Sequence, residues 1–196
     1  MAAQPDTVLL TAEQFLEIQF PPDVKAELDN GVIRMMAGGS RAHARVQRNV
    51  LIALGNALVG SGCQPFGSDF AVETQSGSIR YPDVSVDCGD EQDADDGDKA
   101  LTDPRVLIEV LSPGTRRQDE GVKLNEYRAL PGVDTIALID PEAERMRVLQ
   151  RTGPDAWSDV THREPTDLVL PSLNVTVPHG AIFARAGRDA VDLPSA

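Results

Sequence analysis

The segment "RVLIEVL", from Arg105 to Leu111, is an almost continuous apolar run with one acid, Glu109, near its centre. Such a run is typical of a β-strand covered on both faces of a sheet. An ionised carboxylate there is very costly unless it is paired, protonated or bound to a cation. The chain must therefore build a layered sheet and give Glu109 a partner. If Arg105 or Arg80 pairs with Glu109, the acid has a structural role; if Glu109 binds a cation, it has a functional role.

Three other segments carry helix signals. A capping box predicts a helix from Thr11 to about Gln19, and an apolar period of four residues predicts a second from Ser40 to about Gly60. The segment "RQDEGVKLNEYRAL" predicts a third helix, with Asp119, Lys123 and Tyr127 on one face. These helices are expected to cover the sheet.

Strand signals fill most of the remaining chain. Asp29–Gly31 is an Asn-Gly turn that predicts a β-hairpin, and "SDFAVET", "RYPDVSVD", "DTIALID" and "RMRVLQ" predict further strands. Weaker strand signals lie near "DLVLPSL". The length of 196 residues and the lack of a long linker favour one domain over residues 1–196. We expect an α/β (α+β) fold, with a mixed central β-sheet flanked by helices.

The net charge of −13 is unevenly distributed. It argues against a protein that coats nucleic acid through uniform positive charge, but not against a local basic groove. Seven acids and no base lie between Asp87 and Asp98, which predicts a solvated acidic loop at about 87–104. A calcium loop is the alternative, although the spacing lacks the closing glutamate of a helix-loop-helix site.

The cysteine pattern and the N-terminal residues bear on the cellular compartment of the protein. Cys63 and Cys88 are far apart and form no CxxC motif, so we expect two reduced thiols. No signal-peptide pattern opens the chain, and no apolar run reaches about 18 residues. These features favour a cytoplasmic protein with no membrane association.

A second strand acid, Asp83, follows Pro82 in "RYPDVSVD". Two carboxylates on neighbouring strands make a hard-oxygen site of the kind that holds Mg²⁺. Lys123 is one of only three lysines in the chain, which suggests a role that arginine cannot fill. An ordinary helix-surface pair between Asp119 and Lys123 is the alternative interpretation.

These segments together resemble a known family. The stretches "YPDVSV", "VLIEVLSPGTRRQDEGVKLNEYRALPGV" and "TIALIDP" resemble the Uma-type family of restriction endonucleases, within the PD-(D/E)XK nuclease superfamily. "AELDNGVIRMM" and "SRAHARVQRNVLIAL" fit the same family upstream. The resemblance covers about residues 10 to 150 and implies a restriction-endonuclease-like core.

The resemblance also implies a metal site. Asp83 and Glu109 would bind Mg²⁺ or Mn²⁺, with the backbone carbonyl of Val110 as a further ligand. The superfamily lysine lies two residues after the second acid, a position that Leu111 occupies here. In the Uma-type branch that lysine is carried by the following helix, which makes Lys123 its counterpart.

Further residues follow from the same resemblance. Glu27 matches an acid that many members contribute to catalysis, with an exposed structural glutamate as the alternative. Residues expected to support the ligands or contact substrate are Gln118, Asp119, Tyr127, His43 and Arg116, with a structural role for His43 and a solubilising charge at Arg116 as the alternatives. The implied activity is Mg²⁺-dependent hydrolysis of DNA phosphodiester bonds, with a homodimer as the natural way to cut a duplex. The alternative is a catalytically inactive nuclease-like fold that binds nucleic acid or protein.

Overall fold

The structure is a computed structural model that describes residues 9–89, 97–114 and 116–185. The strands are β1 (Ala26–Asp29), β2 (Val32–Met35), β3 (Cys63–Gly67), β4 (Ala71–Glu73), β5 (Ile79–Arg80), β6 (Val84–Cys88), β7 (Ala100–Leu101), β8 (Val106–Val110), β9 (Thr135–Asp140), β10 (Arg145–Gly153), β11 (Ala156–His162), β12 (Leu168–Leu170) and β13 (Val175–Val177). The helices are α1 (Ala12–Leu16), α2 (Arg41–Ala57), α3 (Arg116–Gln118), a π-helical turn (Asp119–Lys123), α4 (Leu124–Ala129), a 3-10 turn (Pro171–Leu173) and α5 (His179–Phe183).

The described strands form two main sheets. The central sheet has the order β11-β10-β9-β8-β6-β3, in which β8 and β9 are parallel and the other neighbours are antiparallel. The second sheet has the order β2-β1-β5-β4-β7, and β12 pairs with β13. The fold is therefore a mixed α+β fold with mixed sheets flanked by helices.

Strand β8 is covered on both faces, as its apolar sequence predicts. All five of its residues are buried. Ile108 and Val110 belong to the core that α2 covers, whereas Leu107 belongs to the core formed with α4. Side-chain alternation therefore directs Glu109 to the α4 side of the sheet.

The chain crosses between the two sheets at Tyr81–Asp83. The predicted strand "RYPDVSVD" is divided, because β5 pairs in the second sheet and β6 pairs in the central sheet. Pro82 lies in this crossing, outside both strands, so its lack of a backbone N–H costs no hydrogen bond between strands. The crossing places Asp83 at the edge of the central sheet, directly before β6.

The early elements follow the predicted signals with one difference. Both halves of the capping box form at Thr11, but α1 ends at Leu16 instead of near Gln19. Its buried side chains are Ala12 and Phe15, so there is little apolar face to extend the helix. The β1–β2 hairpin forms as predicted, with positive φ at both turn residues.

The prediction of two reduced thiols is wrong. Cys63 and Cys88 are directly opposite on the antiparallel strands β3 and β6, and they form a disulfide. Their Cα atoms lie 4.0 Å apart although 25 residues separate them in sequence. The pairing depends on strand order, which cysteine spacing alone does not reveal.

Two short regions differ from the sequence prediction. Strand β11 was not predicted, because five of its seven residues are exposed and only the partly buried Trp157 packs against the core. The predicted acidic loop at about 87–104 contains β7, which pairs in parallel with β4. Residues 90–96 of that loop, and with them the calcium alternative, lie outside the described residues.

Candidate active site

A cavity of about 400 Å³ lies where β6 begins and β8 ends. Its lining includes the two predicted acids, Asp83 and Glu109, together with Lys123 and Asp119 from the π-helical turn. His43 from the first turn of α2 lines the opposite side. The structure therefore brings residues from four separate segments to one cavity.

Asp83 and Glu109 are neighbours on adjacent strands. The register pairs Val84 with Ile108, so the next residues outward, Asp83 and Glu109, lie side by side. The backbone N–H of Val110 donates a 2.7 Å hydrogen bond to Oδ2 of Asp83. This bond fixes the carboxylate of one acid against the strand that carries the other.

Helix α2 holds Asp83 from the other side. The Nε2 atom of His43 lies 3.1 Å from Oδ2 of Asp83, and this hydrogen bond raises the pKa of His43. One turn later, Gln47 Nε2 donates to the backbone carbonyl of Asp83 at 3.0 Å and to Ser68 Oγ at 3.0 Å. The sequence prediction missed Gln47. Its i, i+4 spacing from His43 was the available signal.

Glu109 is almost fully buried and has two hydrogen-bond donors. Lys123 Nζ lies 3.2 Å and the Tyr127 hydroxyl 2.6 Å from its Oε1. Burial raises the pKa of Glu109 to about 8, and the charges of Asp119 and Asp83 add to the effect while Lys123 opposes it. The cavity therefore contains more negative charge than its own cations neutralise.

The structural alternative for Glu109, a pair with Arg105 or Arg80, is wrong. Arg105 approaches Asp134 and the carbonyl of Gly132. Arg80 binds a different set of carboxylates, described below. Glu109 depends on the helix that follows its strand.

Lys123 lies among three carboxylates. Its ammonium is 2.9 Å from Glu27 Oε1, 3.2 Å from Glu109 Oε1 and 3.4 Å from Asp119 Oδ1. Burial alone would lower the pKa of Lys123, but these carboxylates, Glu109 first, raise it well above its ordinary value. Lys123 is therefore a fixed positive charge. The π-helical turn that carries it is a type of irregularity frequent at functional sites.

Glu27 holds Lys123 from behind the cavity. Its Oε1 also accepts the backbone N–H of Tyr81 at 3.2 Å, and its Oε2 lies 3.4 Å from Arg80. Arg80 is fully buried and makes two further ion pairs, at 2.8 Å to Asp29 and 2.7 Å to Glu126. Glu27 is not part of the described cavity lining, so it contacts Lys123 but does not face the cavity itself.

Two predicted residues lie away from the cavity. Arg116 pairs with Asp140 and with Glu120, and neither it nor Gln118 is part of the described lining. Tyr127 reaches the site only through its bond to Glu109. Of the five predicted supporting residues, Asp119, His43 and Tyr127 therefore contact the acids or lysine of the site.

The donor set fits a hard divalent cation. Within the described residues, bonds to Asp83 end on Oδ2 and bonds to Glu109 end on Oε1, which leaves one oxygen of each carboxylate for another ligand. No three His, Cys, Asp or Glu side chains among these residues converge as a complete metal cluster. Mg²⁺ is commonly bound by one or two carboxylates and keeps several waters, so two acids suffice.

A comparison with known families identifies the family of this chain. A model of the Uma2 family, described as "Putative restriction endonuclease", matches residues 12–178. The chain belongs to the Uma2 family. The matched region contains every residue of the cavity described above.

Relatives and a solved structure are also similar. The uncharacterized proteins sll1609 and slr1290 of Synechocystis sp. are 30% identical over 152 residues and 26% identical over 175 residues. These alignments cover 77% and 89% of this chain, and 86% and 91% of the relatives. Neither relative's description names an activity.

A crystal structure described as "a putative nuclease belonging to DUF820" from Anabaena variabilis superposes with a TM-score of 0.72. It is 18% identical, and the match covers 89% of this chain and 97% of the other. This similarity supports a restriction-endonuclease-like core for the Uma2 chain. Among the described residues, no helix is long and apolar enough to cross a membrane.

Proposed function

We propose that this Uma2 protein is an endonuclease that hydrolyses DNA phosphodiester bonds with Mg²⁺ or Mn²⁺. The observation that carries the proposal is the meeting of Asp83, Glu109 and Lys123 at one cavity. The family supports a nuclease-like function. Asp83 and Glu109 supply hard-oxygen ligands. Lys123 supplies, from the π-helical turn, the positive charge that the superfamily pattern places on the strand.

In this proposal Asp83 and Glu109 hold the metal. A divalent ion in such a site polarises the phosphate and lowers the pKa of a bound water. Asp83 is preorganised for binding, because Val110 N–H and His43 fix its Oδ2 and Gln47 fixes its backbone. Tyr127 likewise orients Glu109 through its hydroxyl.

Lys123 contributes positive charge to the reacting phosphate. Its ammonium lines the cavity and is held by three carboxylates, so it stays protonated and acts as a donor instead of a base. A fixed charge near developing negative charge stabilises the transition state without reorganisation. Glu27 positions this ammonium through its 2.9 Å ion pair with Lys123.

The proposal is tested by plasmid cleavage in Mg²⁺ or Mn²⁺. Asp83→Ala, Glu109→Gln and Lys123→Met should each lower the cleavage rate by at least about 100-fold while circular dichroism stays native. Lys99→Met is the matched control, since Lys99 pairs with Glu17 at the surface. Equal cleavage by wild type and the two acid variants would contradict the proposal.

A non-catalytic nucleic-acid- or protein-binding module is the second candidate. The net charge of −13 favours it, because an acidic chain meets DNA with an electrostatic penalty. Titration calorimetry with Mg²⁺ and Mn²⁺ separates the two functions. Metal binding that is lost in Asp83→Ala supports the nuclease, and no binding at millimolar metal supports the module.

Assembly and location complete the proposal. Two copies related by a two-fold axis would place two sites on the opposite strands of a duplex, so we include a homodimer. Light scattering of the purified protein tests it. A cytoplasmic location is also part of the proposal, and mass spectrometry of alkylated protein from intact cells would test it by showing whether the Cys63–Cys88 bond forms there.

A further inference from the structure

A second cavity of about 190 Å³ adjoins the candidate active site. We call it the aromatic annex and define it by its four largest apolar side chains, Phe20, Val24, Met36 and Tyr81. Met36 and Tyr81 also line the larger cavity. The two cavities are therefore adjacent and share part of their lining.

The annex has rigid aromatic walls. Phe20 and Tyr81 are partly buried and pack against a small core that contains Phe15. The rings of Phe15 and Phe20 lie 5.6 Å apart, and the Tyr81 backbone is tied to Glu27. Aromatic faces and a methionine thioether are surfaces on which planar heterocycles stack.

One side chain links the annex to the metal-site acid. Gln47 Nε2 donates both to Ser68 Oγ, in the annex wall, and to the backbone carbonyl of Asp83. The Ser68 hydroxyl accepts this bond and retains its own proton for donation to a ligand. The annex thus has a polar group of fixed position next to its apolar walls.

A cation lies at the boundary of the two cavities. Lys25 lines both of them and forms an ion pair with Asp69, and both side chains are more than half exposed. Exposed pairs of this kind contribute little stability. Lys25 can therefore exchange Asp69 for a phosphate oxygen at little cost.

We propose that the aromatic annex binds one unpaired nucleobase of the substrate, next to the phosphate at the acids. The inference rests on the proposed nuclease function and narrows its substrate class to single-stranded or locally unpaired DNA. A base inside a duplex is stacked and paired, so it reaches a side cavity only after it leaves the helix. Phe20, Met36 and Tyr81 supply the stacking surfaces, and Lys25 supplies charge for the adjoining phosphate.

Binding to labelled oligonucleotides tests the inference. Fluorescence anisotropy is measured with Glu109→Gln protein, so that the strand is not cut, on a single strand, its duplex and an abasic strand with the same backbone. The single strand should bind about tenfold more tightly than the abasic strand and the duplex. Met36→Trp, which fills the annex, should remove this preference.

Two control variants separate the base from the backbone. Ile52→Trp adds the same ring to an exposed position of α2 and should leave the preference unchanged. Lys25→Ala should weaken binding of the single strand and the abasic strand by the same factor, because it removes a phosphate contact.

The outcomes distinguish this inference from the proposed function. Wild-type cleavage of plasmid DNA, combined with equal affinity for single, abasic and duplex strands, would overturn the annex and leave the nuclease intact. A tenfold base preference that Met36→Trp abolishes, without cleavage of plasmid or single-stranded DNA by wild type, would support the annex and reject catalysis. No binding to any oligonucleotide would overturn both.

Discussion

The substitution Glu109→Gln should stabilise the metal-free protein at alkaline pH. Glutamine keeps the shape of the side chain and an oxygen that accepts from Lys123 and Tyr127, but it carries no charge. Lys123 keeps its two other carboxylates, Glu27 and Asp119. The variant therefore removes one buried charge from a site with too much negative charge, without leaving a cation unpaired.

The magnitude follows from the pKa of Glu109, which burial raises from 4.5 to about 8. Below pH 4.5 the group is protonated in both folded and unfolded chains, and its contribution to stability is fully present. As pH rises to about 8 the unfolded chain has lost this proton and the folded chain still holds it, so the contribution is lost. The loss is about 1.4 kcal/mol per pH unit and about 5 kcal/mol in total.

Urea unfolding in EDTA measures this effect. The free energy of unfolding of Glu109→Gln minus that of wild type should rise by several kcal/mol between about pH 5 and pH 8. Titration of His43 and other groups largely cancels in this difference. Glu142→Gln, at an exposed turn, is the matched control and should follow wild type. Parallel pH profiles for wild type and Glu109→Gln would refute the reasoning.

Adding metal should reverse the order of stability. A cation bound at Asp83 and Glu109 stabilises the folded wild type by about 2.7 kcal/mol at 100 times its Kd. Glu109→Gln loses a ligand and should show no such gain. The same acid would thus destabilise the empty fold and stabilise the metal-bound one.

Three further predictions concern the surroundings of the site. A Cβ on Gly39 would lie 2.7 Å from His43 Nδ1, so Gly39→Ala should move the ring and weaken metal affinity by about tenfold in calorimetry, whereas Gly38→Ala, with nothing within 4 Å, should not. Arg80→Met removes the buried cation that Glu27, Asp29 and Glu126 share, and it should lower the free energy of unfolding by about 3–5 kcal/mol in urea; a loss under about 1 kcal/mol would contradict this reasoning. Cys88→Ser opens a 25-residue loop and should reduce stability by about 3 kcal/mol, with reductant lowering wild type to the same value.

Local signals predicted most of the elements that build the site. The apolar run around Glu109 fixed β8 as a buried strand, and side-chain alternation gave the face of the acid. The spacing of Asp119, Lys123 and Tyr127 predicted a shared helix face, and all three contact the site or its acids. These features depend on periodicity within one segment, which sequence displays directly.

Features that depend on strand order could not be predicted in the same way. The Cys63–Cys88 bond requires that β3 and β6 pair, and the burial of Arg80 requires that β5 joins the second sheet. Each pairing joins residues from segments that have no periodic relation to one another. Gln47 was missed for a similar reason, because its partner is a backbone carbonyl and not a recognisable side chain.

The position of Lys123 on the π-helical turn has a consequence for the charge of the proposed site. Leu111, at the position of the superfamily lysine, is buried in the core with Leu107, whereas Lys123 lies on the π-helical turn and has Glu27 and Asp119 as additional partners. Each partner adds a buried negative charge near Glu109, and Arg80 neutralises only the outer part of the cluster through Glu27, Asp29 and Glu126. The carboxylates that surround Lys123 thus outnumber its single positive charge. That excess favours a divalent cation over an empty cavity, and it gives the net charge of −13 a local component that metal binding would offset.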